Sequence, residues 1–301
     1  MKLQSKTIVV TKDEETLRLD TLLTERFETC SRSYIHYLFE EGMISRNSKT
    51  IKKSFMCKEG DEILVTFKTL PDVHLFPENI PLEILFEDED IIAVNKPAGM
   101  VTHPAPGSLS NTFAGALLYY LKTLPESEDP LRPGIVHRLD KDTTGILLGA
   151  KTRRALLALQ KMFAERKVQK SYLAICHGYL EQPFVDIPIG RHPTNRKLMA
   201  PVQDGKEALT EFRLLEKHNG LCFVEAKPFT GRTHQIRVHA KYQQCPLVGD
   251  EFYGPKKPLF KRHLLHAHTL TFIHPFLDKE IFISTPPPQD FSDFWSHHTR
   301  S

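Results

Sequence analysis

"GIVHRLDKDTTGILLGAK" (134–151) is the stretch on which the reading of this chain turns. It places two basic residues, His137 and Arg138, ahead of two aspartates, Asp140 and Asp142, and an apolar run behind them. "GILLGAK" has the unbroken apolar character of a strand buried on both faces, so the aspartates fall on the turn that enters it. Asp140-Lys-Asp142-Thr-Thr144 also fits D-x-D-x-T, the pattern of phosphohydrolases that attack phosphorus with the first carboxylate beside Mg²⁺. That pattern needs its apolar strand in front of the first aspartate, and here the order is reversed. Two readings stay open locally: turn aspartates bonded to their own backbone, or one carboxylate with a chemical task.

Working outward, "TRRALLALQKMFAER" predicts a helix capped by Thr152, with apolar residues at 155, 156, 159, 162 and 163. "EILFE", "DIIAVNK", "KSYLAICHG", "EALTEFRLLEK", "LCFVEAKPF" and "LLHAHTLTFIH" read as strands. "NTFAGALLYYLKTL" reads as a helix capped by Asn111, and "RTHQIRVHAKYQQ" as a helix starting near Thr233. Strands and helices do not alternate regularly, so the expected fold over 83–290 is α+β around a mixed, mainly antiparallel sheet. Upstream, "KTLPDVHLFPENIPLE" holds three prolines and marks a linker at 69–82. Residues 15–68 form a separate small α/β module. It has two short helices, the second capped by Ser31 or Ser33, then strands turning at Asn47-Ser48 and Gly60-Asp61. Residues 291–301 read as a loosely held tail.

Composition bounds the function. At 40% hydrophobic and 26% charged residues the chain is globular in character. No apolar run approaches the roughly 18 residues of a membrane span, and the N-terminus lacks a signal-peptide core, so a cytoplasmic location is expected. The five cysteines are scattered without C-x-x-C, which argues against disulfides and a zinc ribbon. His263, His266, His268 and His274 are close in sequence, yet no Cys, Asp or Glu completes a metal site; no metal is expected. The net charge of +3 names no partner, but residues 151–170 carry seven Lys/Arg against Glu165 alone. Such a stripe fits either a polyanion contact or a solvated helix face.

Six ordered segments then carry a family resemblance: "VNKPAGMVTHP" (94–104), "HRLDKDTTG" (137–145), "KSYLA" (170–174), "TGRTHQIRVH" (230–239), "GDEFYG" (249–254) and "LLHAHTLTF" (264–272). Together the chain resembles the RNA pseudouridine synthases of the ribosomal large-subunit type that carry an N-terminal S4-like domain. The resemblance implies isomerisation of uridine in RNA, most simply 23S ribosomal RNA, with no cofactor, by a cytoplasmic monomer. A catalytically silent S4-type RNA-binding factor, or transfer RNA as the substrate, is the alternative. It also implies the site. Asp140 matches the essential carboxylate, acting as nucleophile or as base. Arg237 matches the arginine that pairs with it, and Tyr172 the tyrosine that stacks on the target base and is a candidate base for the C5 proton. Arg138 matches the arginine that fills the gap left by the extruded base, and His137 is a structural or RNA-contacting residue. "VNKPAG" and "GDEFYG" read as structural turns, and Asp142 has no assigned task. Over residues 18–55 the S4-like module carries seven Lys/Arg and five Asp/Glu, with Arg32, Lys52 and Lys53 as the expected phosphate contacts.

Overall fold

The computed structural model describes residues 4–27, 30, 32–47, 49–67, 75–104, 108–125, 127, 129, 131–195 and 198–299. The chain divides into two compact units, Met1–Val73 and His74–Ser301.

The first unit consists of β1 (Gln4–Val9), α1 (Leu19–Arg26), α2 (Arg32–Glu40), β2 (Ile44–Arg46), β3 (Lys49–Thr50) and β4 (Glu62–Phe67). Its antiparallel sheet runs β1-β4-β2-β3. The module therefore begins well before residue 15: β1 pairs with β4 along its whole length, from Gln4 opposite Phe67 to Val9 opposite Glu62. Ile8 and Val10 are buried with Leu19, Leu22, Leu23, Ile35 and Leu38 of the two helices, so the strand supplies part of the core. Ser31 and the Ser33 side chain, expected as caps, lie outside what is described.

The second unit continues with β5 (Ile84–Glu87), β6 (Ile91–Lys96), α3 (Phe113–Leu121), β7 (Thr144–Ala150), α4 (Arg153–Ala164), β8 (Gln169–His177) and β9 (Phe184–Asp186). There follow β10 (Ile189–Arg191), β11 (Met199–Pro201), β12 (Leu209–His218), β13 (Leu221–Pro228), α5 (Gln235–Tyr242), β14 (Leu265–Ile273), β15 (Glu280–Ser284) and α6 (Gln289–Thr299). A nine-stranded sheet runs β5-β6-β7-β14-β8-β13-β12-β9, with β15 on β14. Among the strands of this sheet only β7 and β14 pair in parallel, as the mixed, mainly antiparallel expectation required.

Alternation along the strands builds two cores, one on each face. On β6, Ile91 and Ala93 join Ile146, Leu148 and the α4 residues Ala155, Leu156 and Leu159. Ile92 and Val94 point the other way, to Phe113, Leu117, Leu147, Tyr172 and Ile236. All of β7 is buried, which is why it reads as a continuous apolar run. At Gly145, φ is +105°, and a Cβ there would lie 2.7 Å from the Ala267 nitrogen on the parallel strand. Only glycine allows that approach.

Three local expectations are corrected. The cap of α3 is Thr112, whose hydroxyl accepts the Gly115 N–H at 2.9 Å, while Asn111 donates its amide to the Gly99 carbonyl. The second half of the expected linker belongs to the second unit: Leu75, Ile80 and Leu82 pack on its core, and the Glu78 carboxylate takes up the Thr112 N–H and hydroxyl. The expected tail is α6, with Phe291 and Phe294 buried against Leu173 and Ile175 and Trp295 beside them. Those aromatics recur at i, i+3 and i+4, a helical apolar stripe that the short polar context obscured.

Candidate active site

The turn from 137 to 143 is held at nearly every residue. His137 Nε2 accepts the Leu148 N–H at 2.9 Å, and its ring stacks on Phe163 with centroids 4.7 Å apart. The Thr102 hydroxyl bonds both ends of Leu139, donating to its carbonyl at 3.0 Å and accepting its N–H at 3.2 Å. Lys96 is fully buried, and its ammonium donates to the carbonyls of Pro97, Met100 and Lys141 at 2.8, 2.9 and 3.0 Å. Burial pushes its pKa down to about 7, while three carbonyl acceptors match the three N–H donors of the charged form. Arg262 reaches the Asp142 carbonyl, and the Thr143 and Thr144 hydroxyls lie 2.9 Å from His263 Nε2 and His266 Nδ1. Each bond is worth on the order of 1 kcal/mol. Their combined effect is a turn that presents Asp140 in one orientation.

Asp140 meets Arg237 on α5. Arg237 Nη1 donates to Asp140 Oδ2 at 2.9 Å, while Nε and Nη2 form a fork on Asp250 at 2.7 and 2.9 Å. Asp250 is fully buried and also accepts the Phe252 and Tyr253 N–H groups on Oδ1. The Phe252 and Tyr253 rings flank the guanidinium, with centroids 5.5 and 5.2 Å from its carbon. Burial pushes the Asp140 carboxyl upward, but the positive charges of His234 and His263, present in the acid range where the carboxyl titrates, and of Arg237, together with the Arg237 hydrogen bond, outweigh it, so its pKa is lowered. The carboxylate is therefore ionised in a site that excludes most water, with 18% of its side chain exposed.

That exposed part faces a cavity of about 410 Å³, whose wall includes Arg138, Asp140, Lys170, Tyr172, His234 and Arg237. A volume of this size suits a single small ring system. Asp142 is absent from the wall, which answers the question its spacing raised. The sequence expectation thus finds Asp140, Tyr172, Arg237, Arg138 and His137 around one cavity. The surroundings of two of them bear on their chemistry. His137 accepts a backbone amide and stacks on a ring, and burial followed by Lys170 pushes its pKa down to about 3. Burial and then the Asp140 charge push the Tyr172 phenol upward, the opposite of the help a phenolate base would need.

The basic stripe is mostly spent on ion pairs. Lys151 pairs with Glu87, Arg154 with Asp90, Arg166 with Glu207, and Lys161 and Lys167 with Glu165. Lys170 differs: it lines the cavity, 5.6 Å from the Phe163 ring centre, and burial pushes its pKa down. Sequence reading missed Asp250 and Lys96 because both sit in segments taken as structural turns. It also missed the convergence of Cys176, Cys222 and Cys245. Their sulphurs lie within 4.8 Å of one another, the one group with metal-ligand spacing among the described residues, and none lines the cavity. The four histidines of 263–274 are each engaged by neighbouring groups: His263 with Thr143, His266 with Thr144 and the Thr285 carbonyl, His268 with that same carbonyl, and His274 with Asp88. In the first unit Arg18, Arg26 and Arg46 pair with Asp20, Glu14 and Asp61, whereas Lys52 is exposed and Lys53 half-buried. The Arg32 side chain lies outside what is described.

Residues 90–242, which hold Asp140, Tyr172 and Arg237, match the family model described as RNA pseudouridylate synthase. An uncharacterized RNA pseudouridine synthase of Bacillus subtilis is 36% identical over 95% of this chain and 95% of its own. The ribosomal large subunit pseudouridine synthase D of Zymomonas mobilis is 39% identical over 93% of this chain and 94% of its own. Among solved structures, human RNA pseudouridylate synthase domain containing 1 superposes with a TM-score of 0.56 at 29% identity, covering 69% of this chain and 84% of that one.

Proposed function

The chain belongs to the RNA pseudouridine synthase family, and from that premise we propose that it isomerises particular uridines of 23S ribosomal RNA through Asp140. The observation that carries the reading is the ionised Asp140 carboxylate held by Arg237 on the wall of a ring-sized cavity beside Tyr172. Asp140 opens the glycosidic step at the ribose, and Arg237 keeps it charged and oriented. Tyr172 is the platform for the extruded base and stays a neutral phenol. Arg138, exposed at the rim, fills the space the base leaves in the RNA. The reaction oxidises nothing and adds no group from outside, so this reading assigns no cofactor or metal to it. Several relatives bear the name ribosomal large subunit pseudouridine synthase D, which supports ribosomal over transfer RNA.

The unit Met1–Val73 is read as an S4-like RNA-binding module. Lys52 and Lys53, which form no ion pair among the described residues, are its phosphate contacts, with Arg32 as the third. No helix among the described residues is long and apolar enough to cross a membrane, and the reading takes the protein as a cytoplasmic monomer. Mapping pseudouridine in ribosomal and transfer RNA from cells lacking the protein tests the substrate. Loss at discrete 23S uridines, restored by the wild-type gene, is expected. Loss confined to transfer RNA contradicts the substrate, and no loss in either contradicts the activity.

A further inference from the structure

His234 precedes α5 with φ 56° and ψ 20°, in the left-handed region. A side chain there carries strain of about 1–3 kcal/mol and persists only where its surroundings over-determine it. Here they do. Nδ1 lies 2.8 Å from the Tyr253 hydroxyl, and the ring stacks on Phe252 with centroids 6.0 Å apart. Tyr253 also fixes where the imidazole proton sits. Its oxygen already accepts the Met199 N–H at 2.9 Å, so its own proton finds its acceptor in Nδ1. The reverse polarity leaves the phenol proton without an acceptor among the described residues. His234 therefore carries its proton on Nε2.

Burial pushes the His234 pKa down, and Arg237 and Arg138 push the same way, against the opposing pull of Asp140 and Asp250. The ring is neutral at neutral pH. Nε2 stands 3.9 Å from Asp140 Oδ2, too far for a hydrogen bond, on the cavity wall. The fold thus aims an N–H donor into the cavity beside the key carboxylate, bonded to no described residue.

We propose that His234 is a further catalytic residue, whose Nε2–H donates a hydrogen bond to a carbonyl oxygen of the departing uracil. This rests on the uridine-isomerisation reading. When the C1′–N1 bond breaks, its electron pair goes to the base, which leaves as an anion with charge spread over N1, O2 and O4. The proton stays on His234, the charge returns to the new bond when C5 attacks C1′, and C5 then releases its own proton to solvent while N1 takes one up. Asp140 must stand at the ribose, so a donor 3.9 Å from it stands beside the glycosidic bond. Neutrality matters, because an imidazolium would pair with Asp140 and turn away from the base. A preorganised donor facing developing charge is worth about 10²–10³ in rate.

The test compares wild type with His234→Asn, which tolerates the left-handed backbone and keeps an acceptor toward Tyr253, while its shorter amide sets its N–H groups near the former Cδ2 and leaves no donor at the Nε2 position. His234→Gly, unstrained at positive φ, is the second variant in case the first folds poorly. Each is assayed in single turnover on RNA carrying uridine tritiated at C5, with RNA affinity measured by filter binding. A fall of about 10²-fold in rate at unchanged affinity is expected. A parallel series follows consumption of 5-fluorouridine at the target position. Fluorine stabilises the base anion, so the variant's loss shrinks on that RNA. Wild-type rates in both variants, an equal loss on both substrates, or a loss of affinity matching the loss of rate overturns the proposal. Tritium release by the wild type separates failure of this inference from failure of the isomerase reading.

Discussion

On the flank of α4, Arg166 and Glu207 meet at 2.9 Å with 47% and 61% of their side chains exposed. In the cavity wall Arg237 and Asp250 meet at 2.7 Å with 4% and 0% exposed. The bonds are nearly the same length, but the surroundings differ. Water screens the first pair, which gains little from being formed. The second has already lost its hydration, so removing either partner leaves a buried charge unanswered. Charge density along the sequence points to the first region, while chemistry lies in the second. What distinguishes them is burial and the number of partners that fix each group.

The largest effect is expected at Asp250. Asp250→Ala leaves the Arg237 fork empty and costs about 3–5 kcal/mol of stability, read by urea denaturation. In protein that folds, Arg237 no longer holds Asp140 in one orientation, and turnover falls about 10²-fold. Full activity in that variant would show that Asp140 needs no such anchoring. Lys96→Met comes next. It strands three carbonyls that now accept from the ammonium, at about 3 kcal/mol or more in total. A loss below about 1 kcal/mol would mean the turn finds other donors.

Acid sharpens the contrast further. Burial lowers His137 from 6.5 to about 3, and His263 and His266 from 6.5 to about 4. Below pH 6.5 the unfolded chain takes up protons that the folded chain refuses. The stability these rings confer is complete above that pH and is lost as pH falls toward 4. His137→Gln should flatten the decline, measured as urea midpoints across that range. The smallest effect belongs to the surface: Arg166→Gln leaves urea midpoint and turnover as they are, and a clear loss of either would place α4 in the functional region.

The sequence made Asp140, Tyr172 and Arg237 legible because each lies in a segment with a recognisable pattern, and the buried run of β7 placed the strand. Asp250 was hidden by its setting. Gly249 and Gly254 mark a turn, and nothing local says that the carboxylate between them faces an arginine. Lys96 was hidden for a similar reason, since a lysine beside proline reads as exposed until three carbonyls are found around it. The basic stripe misled in the opposite sense, because its partners Glu87, Asp90 and Glu207 come from other strands and loops. The three converging cysteines were equally invisible: Cys176 and Cys222 face each other only through the register of β8 and β13. Contacts between distant segments, rather than residue types, were the missing information.

The most direct measurement sets two neighbouring carboxylates against each other. Asp140 lies on the cavity wall and Asp142 does not. Wild type, Asp140→Asn and Asp142→Asn are incubated in EDTA with 23S RNA tritiated at uracil C5, and released tritium is counted. Release by wild type and Asp142→Asn, with none from Asp140→Asn, is the predicted result. An active Asp140→Asn protein, or an inactive Asp142→Asn protein that folds normally, would contradict the account.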